Sequence, residues 1–287
     1  MSLEALIFDF DGTVADTEET HRQAFNYAFL RLELPWDWSR PLYRELLSTS
    51  GGKERIARFI TMLRVPESEK ARLARLVPAI HRIKAALYVE LIADGRCPLR
   101  PGVERLFAEA RETGVRLAIA ATTASANVHA LLGRHLGAGA ARAFHTIVSG
   151  DLVQRKKPAP DIYHLALATL GLPSERCIAF EDSPNGLRAA KAANLFTVVT
   201  PSQWTAGEDF AGADLVLSSL GDAEHPLSSE EGALTGIPCL PLSRLEALCA
   251  ASARERAKPA AAALLRPIGA GNAGGAPGGS GHPDLRS

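Results

Sequence analysis

L-I-F-D-F-D-G-T-V-A-D-T, spanning Leu6–Thr17, determines how the remaining chain is interpreted. Its first three residues are apolar and predict a strand buried inside a parallel sheet. The strand ends in two acids, Asp9 and Asp11, followed by Gly12, which permits a sharp turn. Ligands of open α/β sheets bind beyond the carboxyl ends of the strands, so both carboxylates are expected at a binding site. Two acids this close are expected to be separated by a cation or to share one proton.

Composition argues against several classes of partner. The chain has 287 residues with 32 basic and 32 acidic side chains, so no net charge favours nucleic acid or an anionic membrane. The N-terminus enters the first strand directly, which predicts no signal peptide, and no apolar run approaches the roughly 18 residues of a membrane helix. We therefore expect a cytoplasmic protein without nucleic-acid or membrane partners. The four cysteines show no metal-binding spacing, which also fits a reducing cytosol: Cys97, Cys177, Cys239 and Cys249.

Strands and helices alternate from residue 101 onward. Short apolar strands are predicted at 115–121, 146–148, 177–180, 196–199 and 215–217, with helical patterns between most of them. This alternation predicts an α/β fold built on a doubly wound parallel sheet.

Residues 17–94 contain helical patterns and no convincing strand, so they predict an inserted all-α domain. The helical patterns cover 18–31, 39–47, 56–63, 67–76 and 78–92. The sheet domain is then assembled from 1–16 and 95–225. Residues 226–287 form a C-terminal extension with a possible helix at 242–256 and a Gly-, Pro- and Ala-rich tail at 267–287, predicted to be disordered.

Polar residues also follow the other predicted strands. Thr122 and Thr123 follow the second strand, Lys157 lies in the loop after the third, and Glu181 and Asp182 follow the fourth. Carboxylates, one lysine and hydroxyls at one sheet edge are the groups that Mg²⁺-assisted phosphoryl transfer needs. Taken singly, each has a simpler explanation, since hydroxyls and acids cap helices and lysines lie on surfaces. Four such coincidences in the right order are much less probable.

This order of motifs resembles the haloacid-dehalogenase-like hydrolases, as far as about Ser219. The segments K-K-P-A-P-D-I-Y (Lys156–Tyr163) and A-F-E-D-S-P-N-G-L-R-A-A-K (Ala179–Lys191) resemble the subfamily with a helical cap after the first motif. That subfamily includes β-phosphoglucomutase and the CbbY-type xylulose-1,5-bisphosphate phosphatases. Within the insertion, three segments are more similar to the CbbY type: W-x-W (Trp36, Trp38), L-Y-R-E-L-L (Leu42–Leu47) and G-G-K-E-R-I (Gly51–Ile56). The resemblance implies a Rossmann-like core.

The resemblance also implies roles for the core residues. Asp9 would be the nucleophile that forms an aspartyl-phosphate, and Asp11 the acid and base. Mg²⁺ would be held by the Asp9 carboxylate, the Asp11 backbone carbonyl and Asp182, with Glu181 supporting. Lys157 would bind the transferring phosphate.

One position departs from the family pattern. Ala121 stands where the second motif normally has a hydroxyl. We therefore assign the catalytic hydroxyl to Thr122, with Thr123 as a substrate-binding residue.

The insertion supplies further substrate-binding candidates, of which Lys53 matches the residue that binds a distal phosphate in the family. Lys53 also follows two glycines at a helix start, an arrangement suited to anions. His21 has the alternative of a satisfied core histidine, and Lys84 that of a solvated helix face. The full set is Glu18, His21, Gly51, Gly52, Lys53, Glu54 and Lys84.

The predicted function is therefore a Mg²⁺-dependent phosphatase that acts on xylulose 1,5-bisphosphate, a reaction that in this family removes an inhibitor of the carbon-fixing carboxylase of the Calvin cycle. A β-phosphoglucomutase-like sugar phosphomutase and a broad-range sugar-phosphate phosphatase are the alternatives. A catalytically silent binding protein is a third, against which the intact acids and Lys157 argue. The expected partner is a small-molecule sugar phosphate, and the expected state is a monomer.

Overall fold

A computed structural model describes residues 2–95, 97–235 and 238–264, with side chains described as far as Arg254. The boundary between two compact units lies between Ala253 and Arg254. Among the described residues, none of the helices combines the length with the apolar composition that a membrane span requires.

The first unit is built on one six-stranded sheet in which every pairing is parallel. The strand order is β3-β2-β1-β4-β5-β6, so the chain starts in the centre and proceeds to each edge in turn. This confirms the predicted doubly wound α/β fold. The strands are β1 (Ala5–Phe8), β2 (Arg116–Ala121), β3 (Phe144–Ser149), β4 (Cys177–Glu181), β5 (Phe196–Val199) and β6 (Leu215–Val216).

The central strand β1 is buried on both faces, as its apolar sequence predicts. Phe8 is paired in register with Ile119 on one side and Phe180 on the other. Its ring stacks on Phe180, with 4.3 Å between the centroids, and meets the edge of Phe107 at 5.0 Å. These contacts fix the carboxyl end of β1, and therefore the starting point of the acidic turn.

Helices follow most of the strands, and the described sequence between β1 and β2 contains six of them, α1–α6. We call α1–α5 the helical insertion, and no strand interrupts it within the described residues 17–95. The insertion belongs to the same compact unit as the sheet, so its division from the core at residues 17–94 stays a prediction. The helices are α1 (Glu18–Arg31), α2 (Arg40–Leu46), α3 (Gly52–Met62), α4 (Glu67–Ala74), α5 (Val77–Ala93), α6 (Val103–Thr113), α7 (Ser125–Leu136), α8 (Asp161–Leu170), α9 (Pro184–Ala192), α10 (Ser229–Thr235) and α11 (Leu242–Leu264).

Helix α3 begins at Gly52, four residues before the predicted start at Ile56. The cause is Gly51, whose φ of 95° lets the chain turn directly into the helix. Lys53 and Glu54 consequently lie in the first helical turn.

The C-terminal extension also differs from the prediction. Helix α10 was not predicted, although Ser228 and Glu231 form a capping box: the Glu231 N–H donates to Ser228 Oγ at 3.2 Å, and the Ser228 N–H to Glu231 Oε2 at 3.0 Å. The S-x-x-E spacing was the available signal. Helix α11 runs to Leu264, beyond the predicted end at Arg256. The predicted disordered tail, 267–287, lies outside the described residues.

The two chain segments that join the insertion to the sheet lie side by side. Ala15 forms an antiparallel bridge with Leu99, and the Asp16 N–H donates to the Pro98 carbonyl at 3.1 Å. The outgoing and returning segments are therefore bonded to each other directly behind the acidic turn.

Candidate active site

Asp9 leaves the end of β1 and is 7% exposed. Its N–H donates to the Phe180 carbonyl at 2.9 Å, which continues the sheet pairing by one residue. Oδ1 accepts a hydrogen bond from Lys157 Nζ at 2.6 Å, and Oδ2 a long one from Thr13 Oγ1 at 3.4 Å. Burial raises the pKa of Asp9 to about 7, even though Lys157 acts in the opposite direction. One carboxylate oxygen is thus firmly held, and the other is weakly engaged.

Lys157 lies between two buried carboxylates. Its Nζ is 2.6 Å from both Asp9 Oδ1 and Glu181 Oε1, and the Tyr163 hydroxyl donates to the same Glu181 oxygen. Burial opposes the charged form, but the two carboxylates outweigh it and raise the pKa of Lys157. A permanent positive charge therefore lies beside Asp9.

Three buried carboxylates meet here, and they fit a hard divalent cation. Asp9, Glu181 and Asp182 each offer an oxygen, and these atoms lie within 4.8 Å of one another. Glu181 Oε2 is buried without a hydrogen-bond partner among the described residues. Burial and the charges of Asp9 and Glu181 raise the pKa of Asp182 well above its usual value. One lysine cannot balance three acids, and oxygen ligands of this kind suit Mg²⁺.

Two glycines make this close approach of acids possible. Gly12 has a φ of 87°, and a Cβ there would lie 2.2 Å from Asp182 Oδ2. A Cβ on Gly186 would lie 1.7 Å from Glu181 Oε2. The sequence predicted the turn at Gly12 but gave no reason to single out Gly186.

Asp11 has partners of its own. Its Oδ1 accepts hydrogen bonds from Thr17 Oγ1 at 2.7 Å and from His21 Nε2 at 2.9 Å. Burial opposes ionisation, but His21 and these hydrogen bonds lower the pKa of Asp11 to about 2. Asp9 and Asp11 therefore have different hydrogen-bond partners, Lys157 for Asp9 and Thr17 with His21 for Asp11. Burial and the nearby Lys84 lower the pKa of His21, which favours the neutral imidazole. The cation or shared proton between the two acids stays a prediction.

Behind Asp11 lies a buried chain of polar groups. His21 Nδ1 is 2.6 Å from Lys84 Nζ, and the imidazole stacks on Tyr88 with 3.9 Å between the ring centroids. Lys84 Nζ also lies 4.8 Å from the centroid of the Phe25 ring. Burial lowers the pKa of Lys84 to about 8. The interpretation of Lys84 as a solvated helix face is therefore wrong, while His21 is a satisfied buried histidine that contacts Asp11.

Glu18 belongs to a second polar group, which includes an arginine that the sequence analysis did not assign. Glu18 Oε2 accepts a hydrogen bond from the Tyr43 hydroxyl at 2.6 Å, and Arg55 Nη1 donates to that hydroxyl at 2.7 Å. Arg55 Nη1 is 3.7 Å from Glu18 Oε2, and the arginine is 8% exposed. The sequence around Arg55, G-G-K-E-R-I, contains no feature that predicts the burial of this arginine.

One cavity of about 700 Å³ is lined by nearly all of the site residues predicted from the sequence. Glu181 is the exception, because it is fully buried behind Lys157. The predicted residues that line the cavity are Asp9, Asp11, Glu18, His21, Gly51, Gly52, Lys53, Glu54, Lys84, Thr122, Thr123, Lys157 and Asp182. Among the described residues, five further basic side chains line it and were not assigned from the sequence: Arg44, Arg55, His81, Lys156 and Arg188.

Lys53 and Thr122 are free to meet a ligand. Lys53 is exposed, lines the cavity and has no hydrogen bond or ion pair to any described residue. The hydroxyl of Thr122 is likewise without a described partner, whereas Thr123 Oγ1 accepts a hydrogen bond from Asn127 Nδ2 at 2.9 Å. Ala121, whose methyl side chain has no hydroxyl, is fully buried at the end of β2.

The sheet and the helical insertion also touch across the cavity mouth. Asn185 Nδ2 donates to the Ser48 carbonyl at 2.8 Å and to Ser50 Oγ at 3.2 Å. The Trp204 ring meets the edge of Tyr43, with 5.4 Å between the centroids. The insertion is therefore closed over the acids.

Comparison with known proteins gives a consistent assignment. The family model described as haloacid dehalogenase-like hydrolase matches residues 3–194. Protein CbbY of Cereibacter sphaeroides is 51% identical over 220 residues, which cover 77% of this chain and 94% of that protein. A crystal structure of a CbbY mutant from Rhodobacter sphaeroides in complex with xylulose-(1,5)bisphosphate has a TM-score of 0.70 at 49% identity, covering 76% of this chain and 94% of that one.

A more distant relative is the β-phosphoglucomutase of Bacillus subtilis, at 29% identity over 231 residues, covering 80% of this chain and 95% of that protein. The family model spans more than half of the chain, and CbbY is aligned over almost its whole length. The chain therefore belongs to the haloacid dehalogenase-like hydrolase family, and it is a phosphoric monoester hydrolase.

Proposed function

We propose that this hydrolase, a sugar phosphatase of the haloacid dehalogenase type, removes one phosphate from xylulose 1,5-bisphosphate in a Mg²⁺-dependent reaction. The observation that carries the proposal is the single cavity that holds both Asp9 with Lys157 and, on the helical insertion, Lys53 without a partner among the described residues. A bisphosphate needs one cationic position at the reacting phosphate and another at the distal one. Similarity to a CbbY structure that binds this sugar bisphosphate supports the choice.

In the first step, Asp9 attacks the phosphorus atom and forms an aspartyl-phosphate. Lys157 holds Oδ1 at 2.6 Å, which leaves Oδ2 as the attacking oxygen, since its hydrogen bond to Thr13 is long. The same ammonium group neutralises charge on the phosphoryl oxygens. Glu181 keeps Lys157 in place from the opposite side. A covalent intermediate divides one difficult displacement into two easier ones.

Asp11 then serves both steps, as acid for the leaving oxygen and as base for the attacking water. His21 and Thr17 hold its carboxylate, and the pKa of about 2 keeps that carboxylate ionised before the second step, in which it accepts a proton from water. In the first step, the negative charge of a bound phosphate raises the pKa of a nearby carboxylate and so favours its protonated form.

Mg²⁺ would be held by the carboxylates of Asp9 and Asp182 and the Asp11 backbone carbonyl, with Glu181 supporting. When bound, it supplies charge neutralisation at the phosphoryl oxygens. The buried acidic cluster supports this assignment, because its negative charge exceeds what Lys157 balances.

Magnesium should stabilise the protein, most strongly above neutral pH. The folded state raises the pKa of Asp9 to about 7 from an ordinary value near 3.8, so it binds that proton more tightly than the unfolded chain does. The free energy of unfolding in EDTA should therefore fall as pH rises from about 4 to 7. Mg²⁺ at a concentration one hundred times its Kd should raise the free energy of unfolding by about 2.7 kcal/mol.

Denaturant unfolding at pH 5 and pH 8, with EDTA or Mg²⁺, checks this expectation. Asp182→Asn should remove the response to Mg²⁺, whereas Asp94→Asn, which changes an exposed carboxylate at the end of α5, should keep it. If the free energy of unfolding of the wild-type protein at pH 8 were the same in EDTA and in Mg²⁺, the metal assignment would be contradicted.

Lys53→Ala should discriminate between substrates. A charge-assisted hydrogen bond contributes about 1.5–3 kcal/mol, so losing it should lower kcat/KM for xylulose 1,5-bisphosphate roughly 10- to 100-fold. A small monophosphate has no distal phosphate and should lose far less. The control is Lys70→Ala, which removes an insertion lysine that pairs with Glu67 away from the cavity. Equal losses on both substrates in Lys53→Ala would show that Lys53 does not bind the second phosphate.

The similarity to β-phosphoglucomutase keeps a sugar phosphomutase as the second candidate. A mutase needs the bisphosphate to reorient in the cavity, and it needs the phosphorylated Asp9 to be protected from water. Product analysis separates the two functions, because a mutase returns a rearranged sugar phosphate and a phosphatase releases inorganic phosphate. The same assay across pentose and hexose phosphates separates a broad-range phosphatase from a selective one.

A further inference from the structure

Arg100 is a buried arginine with an unusual number of backbone partners. Its side chain is 8% exposed. Nη1 donates to the Gly12 carbonyl at 2.6 Å, to the Thr200 carbonyl and to Thr200 Oγ1 at 3.0 Å. Nη2 donates to the carbonyls of Pro201 at 2.9 Å and Ser218 at 3.0 Å. A single guanidinium group therefore joins the acidic turn to the loops after β5 and β6.

Arg100 also lies at the joint between the insertion and the sheet, by which we mean the two paired connecting segments around Ala15 and Leu99. Its N–H donates to the Val14 carbonyl at 2.9 Å, next to the bridge between Ala15 and Leu99. Arg100 Nε is 3.8 Å from Asp16 Oδ1. The side chain is thus anchored where the insertion leaves and rejoins the sheet.

The loop after β5 continues to the helical insertion on the far side of the cavity. Trp204 meets the edge of Tyr43, and the Arg40 guanidinium lies 4.9 Å from the centroid of the Trp204 ring. Arg40 Nη2 also donates to Gln203 Oε1 at 3.3 Å. Arg100 consequently connects the joint, the acidic turn and the loop that meets the closed insertion.

We propose that Arg100 is a positioning residue for the phosphatase reaction. It holds the Gly12 turn beside Asp182, and through that turn it fixes the neighbouring Asp11 in the arrangement that turnover requires while the insertion is closed. The inference rests on the proposed role of Asp11 as acid and base. Guanidinium suits the task because it presents five donors in a planar, rigid fork, whereas an ammonium group has three donors on a flexible stem.

Arg105 on α6 provides a matched control. Its side chain also donates to three backbone carbonyls, those of Gly221 at 3.0 Å, Leu220 at 3.0 Å and Leu240 at 2.9 Å. None of these four residues lines the cavity. Replacing Arg105 therefore removes a comparable set of backbone hydrogen bonds without touching the acidic turn.

The test compares Arg100→Met, Arg100→Lys and Arg105→Met, with kcat, KM and Tm measured on xylulose 1,5-bisphosphate and Mg²⁺ well below each Tm. Both methionine variants should have a lower Tm. In Arg100→Met, kcat should fall by up to roughly 100-fold, because displacing a catalytic group by about an ångström can cost that much, and KM should be nearly unchanged. Arg105→Met should keep its kcat. Arg100→Lys retains the charge but not the guanidinium fork, so its kcat should lie between those of Arg100→Met and wild type.

If Arg100→Met does not fold, the test becomes a comparison of kcat between Arg100→Lys and Arg105→Met. An Arg100 variant that loses Tm but turns over as fast as Arg105→Met overturns the inference and leaves the proposed function intact. A folded wild-type protein without phosphatase activity on this substrate overturns the proposed function instead.

Discussion

Asp9→Asn should abolish phosphate release, by roughly 10⁴-fold or more, since the uncharged amide cannot attack phosphorus. The fold should survive, because Lys157 keeps its hydrogen bond to Glu181 and the substitution preserves side-chain volume. Removing the charge also relieves the burial penalty that raises the pKa of Asp9 to about 7, so Tm should not fall. Steady-state phosphate release and thermal unfolding measure the two parts of this expectation.

Trapping the intermediate makes the Asp9 test specific. Acid quenching during turnover should leave phosphate on a peptide containing Asp9 in wild type, and none there in Asp9→Asn. Asp94→Asn serves as the control for an aspartate away from the cavity. Substantial turnover by a folded Asp9→Asn protein would show that Asp9 is not the nucleophile.

Asp11→Asn should slow turnover by roughly 10²–10⁴, the usual contribution of a general acid and base. The variant cannot protonate the leaving oxygen or accept a proton from water, although its amide oxygen still accepts hydrogen bonds from Thr17 and His21. Rapid-quench measurement of aspartyl-phosphate formation and breakdown should find both steps slowed.

Thr17→Val is the matched control for Asp11, since it removes one hydrogen bond to the carboxylate and leaves the carboxylate itself. Thr17→Val should lower the turnover rate much less than Asp11→Asn does. If Asp11→Asn turned over at the wild-type rate, the acid–base assignment would be wrong.

The parts of the site that follow strand ends were predictable from sequence. A short apolar run ending in acids fixes the position of Asp9, because β1 is buried on both faces and only its carboxyl end reaches the cavity. Lys157 and Asp182 follow the same rule. Helix α1 has the predicted bounds, with acids in its first turn and Arg31 in its last.

The parts that depend on contacts between distant residues could not be predicted. Arg100 binds carbonyls of residues 88 to 118 positions away, and its sequence shows only an arginine before a proline. Arg55 and Lys84 are charged residues on helices, which are usually solvated, yet both are buried here by the tertiary packing of the insertion. Gly186 is required by the approach of Glu181, a contact with no local sequence signal.

The proposed bisphosphatase activity can be tested by counting the phosphate that the protein releases from xylulose 1,5-bisphosphate in the presence of Mg²⁺. We expect one inorganic phosphate per substrate molecule, a sugar monophosphate as the other product, and a higher kcat/KM than for pentose or hexose monophosphates. Failure to release phosphate from this bisphosphate, or a product that keeps both phosphates, would contradict it.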